Sequence, residues 1–135
     1  MRAAVKAPAP PSFAMCLVLL ALVDVSLRAF GLRRTAHWLQ RSGRSQERSL
    51  PPGAMPGAVR AVTTAASFYP RRALCLEQSL VLYWVLRRWG AAVELRVGVQ
   101  PFPFAAHAWV EHKGKPINEH EEFVMRLAPF PSFGA

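Results

Sequence analysis

Residues 80–86 (Leu-Val-Leu-Tyr-Trp-Val-Leu) are apolar without a break, and a helix apolar on all sides is stable only at the centre of a domain. The spacing predicts a helix over 75–89. It carries Arg87 and Arg88 in its last turn, where cations meet the negative end of the dipole, and Gly90 supplies a left-handed stop. Residues 92–100 then alternate, with Val93, Leu95, Val97 and Val99 on one face and Glu94, Arg96 and Gln100 on the other. That pattern is a half-buried strand, whose apolar side can cover the buried helix. Pro101-Phe102-Pro103-Phe104 breaks the strand, and a second is predicted over 106–112. Lys113-Gly114 turns the chain, residues 115–119 return as a third strand, and a further short one is expected around 123–127. The fold class is α+β: N-terminal helices, a central helix opening at Cys75, and a small antiparallel sheet.

At 135 residues, with 52% hydrophobic and 19% charged side chains, the chain can bury a core and is not a disordered polypeptide. The net charge of +9 is uneven. Residues 1–60 hold nine Lys and Arg against Asp24 and Glu47, a net of +7, whereas residues 61–135 hold eight against six acids, a net of +2. A basic half suits an acidic peptide, a lipid surface or nucleic acid. No zinc finger, helix-turn-helix or aromatic RNA-binding motif accompanies the arginines, so no nucleic-acid partner is expected. Two cysteines, Cys16 and Cys75, do not make a disulfide framework; both are read as reduced, which points to a cytoplasmic protein.

Upstream of the central helix, residues 1–68 form an N-terminal helical region, and residues 69–135 the functional core. Pro8, Pro10 and Pro11 mark a loose lead-in. The apolar run 13–23 follows Arg2 and Lys6, as in a secretory signal, but it is shorter than the ~20 residues a spanning helix needs. No small-residue cleavage site follows it, and Asp24 and Arg28 continue at helical spacing. A packed helix is the expectation, with a membrane-associated segment over 13–30 as the alternative. A second short helix is predicted over 32–40, a polar linker over 41–56, and a small-residue helix over 57–68 closed by Pro70. No internal repeat is visible.

The chemistry-bearing residues lie between Cys75 and Glu119. Cys75 opens the central helix, where the positive end of the dipole favours an anion. His107 sits on the second strand in His107-Ala108-Trp109-Val110-Glu111, with Trp109 and Glu111 on the same face. The partner of His107 depends on the hairpin register. A three-residue loop, His112-Lys113-Gly114 with Gly114 left-handed, pairs Glu111 with Lys115 and sets Glu119 opposite His107, with Asn118 pointing away. A two-residue loop at Lys113-Gly114 moves Glu119 to the other face. Gly114 in the third loop position favours the first. A thiol at a helix start, an imidazole and a carboxylate are the parts of a nucleophile, its base and the base's orienter, and the first helix amides suit a developing oxyanion. Each residue also has a plain structural explanation: a cysteine among apolar residues is usually core, and a strand histidine is usually structural. His107, His112, His120 and Cys75 lack the spacing of a zinc site, and neither a metal nor a cofactor is expected.

The segments Leu74-Cys75-Leu76-Glu77-Gln78-Ser79-Leu80, Leu86-Arg87-Arg88-Trp89-Gly90, Gly98-Val99, His107-Ala108-Trp109-Val110-Glu111, Gly114 and Asn118-Glu119 resemble the lasso-peptide leader peptidase, the protease half of the B protein of lasso-peptide gene clusters. That family lies in the transglutaminase-like, papain-related superfamily, and the likeness is close over about residues 70–120. The resemblance implies a cysteine protease with Cys75 as nucleophile, His107 as base and Glu119 as orienting acid, where the family usually has Asp. It implies removal of the leader from a ribosomally made precursor peptide, before a separate ATP-dependent, asparagine-synthetase-like cyclase closes the macrolactam. The chain resembles the stand-alone form, which implies a separate leader-recognition protein. Trp109, Arg71 and Arg72 are the candidate substrate-binding residues. An acyl transferase using the same three groups, and a non-catalytic helper that holds precursor and cyclase together, stay open as alternatives.

Overall fold

A computed structural model of the chain describes residues 11–42, 50–69, 75–101, 104–119 and 128–129. Among the described residues three helices come first, α1 (Phe13–Ser42), α2 (Ala54–Phe68) and α3 (Cys75–Arg88). Four strands follow, β1 (Val93–Pro101), β2 (Phe104–His112), β3 (Lys115–Pro116) and β4 (Ala128–Pro129), in the antiparallel order β3-β2-β1-β4. The expected strand over 123–127 lies outside the described residues; β4, just beyond it, pairs Gly98 with Pro129 and Val99 with Ala128.

Ser12 starts α1, its hydroxyl accepting the Met15 amide at 3.1 Å, as an N-cap does. Gly31, at φ 85 and ψ 172, interrupts the helix, so the two helices expected from the sequence meet at one glycine. The two halves are also tied by their side chains, Ser26 and Thr35 sharing a hydrogen bond of 2.7 Å. Asp24 pairs with Arg28 at 3.3 Å and accepts the Tyr69 hydroxyl at 3.2 Å, which fastens the end of α2 to α1. By length and composition helix Phe13–Arg41 is apolar enough to cross a membrane, its most apolar 18-residue stretch having a mean hydropathy of 2.1. The run 13–23 alone is shorter than a span, but the apolar stretch continues past Asp24 and Arg28, which pair with each other.

Helix α2 begins at Ala54, three residues earlier than the composition suggests. Pro56 sits in its first turn, where the missing N–H has no intrahelical acceptor to lose. Small buried residues (Ala54, Ala58, Ala65 and Ala66) let its backbone approach its neighbours closely. Arg87 and Arg88 fold back over the rings of Tyr83 and Trp84, at 5.4 and 5.0 Å, and Gly90 at φ 92 ends α3.

Strands β1 and β2 pair from Val93↔His112 to Pro101↔Phe104. Val93, Leu95 and Val97 therefore share a face with Val110 and Ala108, and all five are buried. The core is continuous: Cys16, Leu20 and Val23 of α1, Ala58 and Val62 of α2, residues 80–83 and Leu86 of α3, and Leu95 and Val110 of the sheet form one cluster. Helix α3 lies at its centre, contacting both other helices and both long strands, as its all-round apolar sequence requires.

Candidate active site

Cys75 is the first residue of α3 and is half-buried. Cys16 is fully buried, and desolvation pushes its thiol up, so it stays protonated as a small core side chain. His107 and Glu119, each about a quarter exposed, meet through Nε2 and Oε2 at 2.5 Å. A carboxylate accepts, so in the neutral imidazole Nε2 carries the proton and Nδ1 is the basic nitrogen.

That contact forms in a register other than the expected one. Lys113 (φ 52) and Gly114 (φ 79) are both left-handed, and His112 pairs with Lys115 and Glu111 with Pro116. The connection is thus a two-residue hairpin of the type whose twist matches the strands, and not a three-residue loop with a bulge. Had the third strand run on, residue 119 would stand on the wrong face. The strand stops instead. Ile117 donates one last ladder bond to Val110 O at 2.9 Å, and residues 117–119 bend away.

Asn118 makes the bend possible, although strand alternation after a three-residue loop points it away from His107. Its Oδ1 accepts the Val110 amide at 2.8 Å in place of a strand carbonyl. Its Nδ2 donates to Ser79 Oγ at 3.0 Å, and the Ser79 hydroxyl donates to Ala108 O at 3.0 Å. Residues two apart on a strand send their backbone polar groups to the same side, so Ala108 O points, like Val110, toward the edge β3 has left. Helix α3 seals that edge with one hydroxyl, and Ser79 is completely buried with both its roles filled. Ser79 lies one turn beyond Cys75 on the same face of α3, while Ala108 and Asn118 are the neighbours of His107 and Glu119. One signal was there to be read: Ser79 directly precedes the unbroken apolar run 80–86, where a polar side chain needs a partner.

Trp109 is 1% exposed, and its indole N–H donates to Glu111 Oε2 at 2.8 Å. Glu111 also meets Arg96 at 3.5 Å. This is the placement of a residue that stiffens the strand bearing His107, not of one that offers a face to a peptide. Arg71, Arg72 and His120 lie outside the described residues. Among the described residues no three His, Cys, Asp or Glu side chains are grouped as a metal ion would need.

A helix opening on a cysteine packs on an antiparallel sheet whose histidine is paired with an acid from the bend after β3, in the α+β arrangement of a transglutaminase-like domain. Residues 17–132 match the transglutaminase-like superfamily, most of the chain's length, and the chain belongs to it. That superfamily includes cysteine peptidases and acyltransferases. No curated protein and no solved structure matches the chain.

Proposed function

We propose that this chain is a cysteine peptidase that removes the leader from a ribosomally made lasso-peptide precursor. The observation that carries the reading is the His107–Glu119 hydrogen bond, in a sheet that Ser79 ties to the helix opening at Cys75. Nδ1 of His107 takes the thiol proton, and the Cys75 thiolate attacks the carbonyl at the leader–core junction. Charge builds on the carbonyl oxygen, where the first amides of α3 are the candidate donors. His107 returns its proton to the departing amine, and water attacks the thioester to release the leader and regenerate the thiol. Glu119 holds the imidazole in one tautomer and stabilises its charged form. The resemblance of residues 70–120 to leader peptidases supplies the substrate class, a separate recognition protein for the leader, and a cyclase that consumes the freed core.

Superfamily membership keeps acyl transfer to an amine as a second reading, since the same three groups serve it. Mass analysis of the products separates the two: hydrolysis adds water, whereas amide formation with a glutamine side chain loses ammonia. The test is a purified mixture of precursor, recognition protein and this chain. Leader release that depends on Cys75 and His107 is expected. Release that persists with Cys75→Ala leaves only the helper role and overturns the proposal.

A further inference from the structure

The first half of α1, residues 13–30, packs one face on the core through Cys16, Leu20 and Val23. Its opposite face has no polar side chain. Met15, Val18, Leu22, Val25 and Ala29, spaced three and four apart, are all exposed, Val18, Leu22 and Val25 at 58, 61 and 62%. Asp24 and Arg28 are the only charged residues in this stretch, and they neutralise each other at 3.3 Å. A contiguous apolar stripe of this kind on a folded surface marks a contact site.

The stripe runs into an apolar groove of about 400 Å³ between the halves of α1 and α3, lined among others by Leu19, Leu22, Val25, Phe30, Trp38 and Trp84. Two polar residues line it, Ser26 and Thr35, and their hydroxyls are bonded to each other. Pockets built for peptides use placed polar groups to orient the backbone, and an acyl chain needs none. Charge points the same way. Beyond Phe30 the helix carries Arg33, Arg34 and Arg41, all exposed, and residues 11–42 contain a single acid, Asp24. The exposed Phe30 and Trp38 rings, edge to face at 5.0 Å, stand at the junction of the apolar and basic parts, where amphipathic aromatics favour the headgroup level.

We infer that this face is a docking surface for an anionic lipid bilayer, with the stripe and groove taking up acyl chains and the arginines meeting the headgroups. The helix lies in the interface and does not span it, because Gly31 breaks it and its other face is committed to the core. The inference is independent of the peptidase reading.

Co-sedimentation of the full chain with vesicles tests it. Phosphatidylcholine vesicles containing phosphatidylglycerol should bind at least about tenfold more tightly than pure phosphatidylcholine, and added salt should narrow that gap. Leu22→Glu with Val25→Glu should abolish binding with an unchanged circular dichroism spectrum, since both residues are exposed. Arg33→Gln with Arg34→Gln, which leaves the stripe intact, should remove most of the preference for anionic lipid. No binding to either vesicle, or equal binding by the double Glu variant, overturns the inference. So does a soluble oligomer that the Glu substitutions dissociate, because a second copy then covers the face.

Discussion

Asn118 Nδ2 donates to Ser79 Oγ across 3.0 Å, joining the residue beside the candidate acid to the residue one turn from the candidate nucleophile. The bond belongs to a relay in which every member is satisfied: Val110 N to Asn118, Asn118 to Ser79, Ser79 to Ala108 O. It replaces the strand pairing that β2 loses when β3 ends, and it fixes the start of α3 against the strand of His107.

Ser79→Ala should therefore cost more than the loss of one neutral hydrogen bond. It strands the buried Ala108 carbonyl, worth about 1–3 kcal/mol when left unpaired, and releases the part-buried Asn118 amide toward water, against a gain in helix propensity of well under 1 kcal/mol. Urea unfolding should show a net loss of about 1–3 kcal/mol. Asn118→Ala should lose a similar amount and should also impair cleavage, because the bend that brings Glu119 to His107 goes with it. Wild-type stability in both variants would refute the relay.

Removing the pieces of the site should separate their roles. Cys75→Ala should abolish peptide cleavage, and His107→Ala should lower kcat by about 10²–10⁴-fold, the usual span for a general acid–base group. Glu119→Gln should lose less than His107→Ala, because it keeps a hydrogen-bonding group beside Nε2 and removes only charge. A Glu119→Gln variant as inactive as Cys75→Ala would assign Glu119 a part in bond breaking, against the orienting role.

The layout of helices and strands was legible in the sequence because each element carries its own period. The uniform apolarity of residues 80–86 required a central helix, and the alternation from Val93 to Val99 required a strand with one covered face. Cys75, His107 and Glu119 stand out in the sequence as motif residues, and the structure joins two of them, His107 and Glu119. The route by which Glu119 reaches His107 was not legible. Gly114 announces a left-handed residue in the turn, but nothing in a lysine announces that Lys113 is left-handed too, so the loop was read one residue too long. The two-residue register, had β3 run on, would place Glu119 on the face away from His107, and the early end of β3 offsets it. Where a strand ends depends on what takes over its hydrogen bonds. Here Ser79 does so, from a helix far away along the chain, and local sequence around Asn118 carries no trace of it.

Alkaline pH should expose the buried phenol at the centre of α3. Tyr83 is almost fully buried, and desolvation raises its hydroxyl above the ordinary 10.0, an effect the nearby Arg87 only partly offsets. Above that pH the unfolded chain releases the proton while the folded one retains it, so the folded state binds more protons and stability falls as pH rises. The buried Cys16 thiol, raised above 9.0, adds an earlier onset of the same sign. Urea midpoints should hold level from neutral pH to about 9 and then decline, more steeply beyond about 10. Tyr83→Phe should flatten the steeper part; an unchanged slope above pH 10 in that variant would assign the decline to other groups.

The hairpin itself offers the sharpest check on the geometry, because the two registers assign Lys113 different backbones. In the two-residue turn Lys113 has φ 52, a left-handed conformation that costs a residue with a Cβ about 1–2 kcal/mol and that asparagine tolerates best after glycine. Lys113→Asn should therefore stabilise the protein, by up to about 1 kcal/mol in urea, without touching Cys75, His107 or Glu119. Gly114→Ala should do the opposite: at φ 79 an added Cβ meets no neighbouring atom, so its cost is backbone strain alone, about 1 kcal/mol. In the three-residue alternative Lys113 is right-handed, and asparagine there gains nothing. A neutral Lys113→Asn beside a damaging Gly114→Ala would restore the three-residue loop, in which Glu119 faces His107 by strand pairing and the bend at Asn118 has no part.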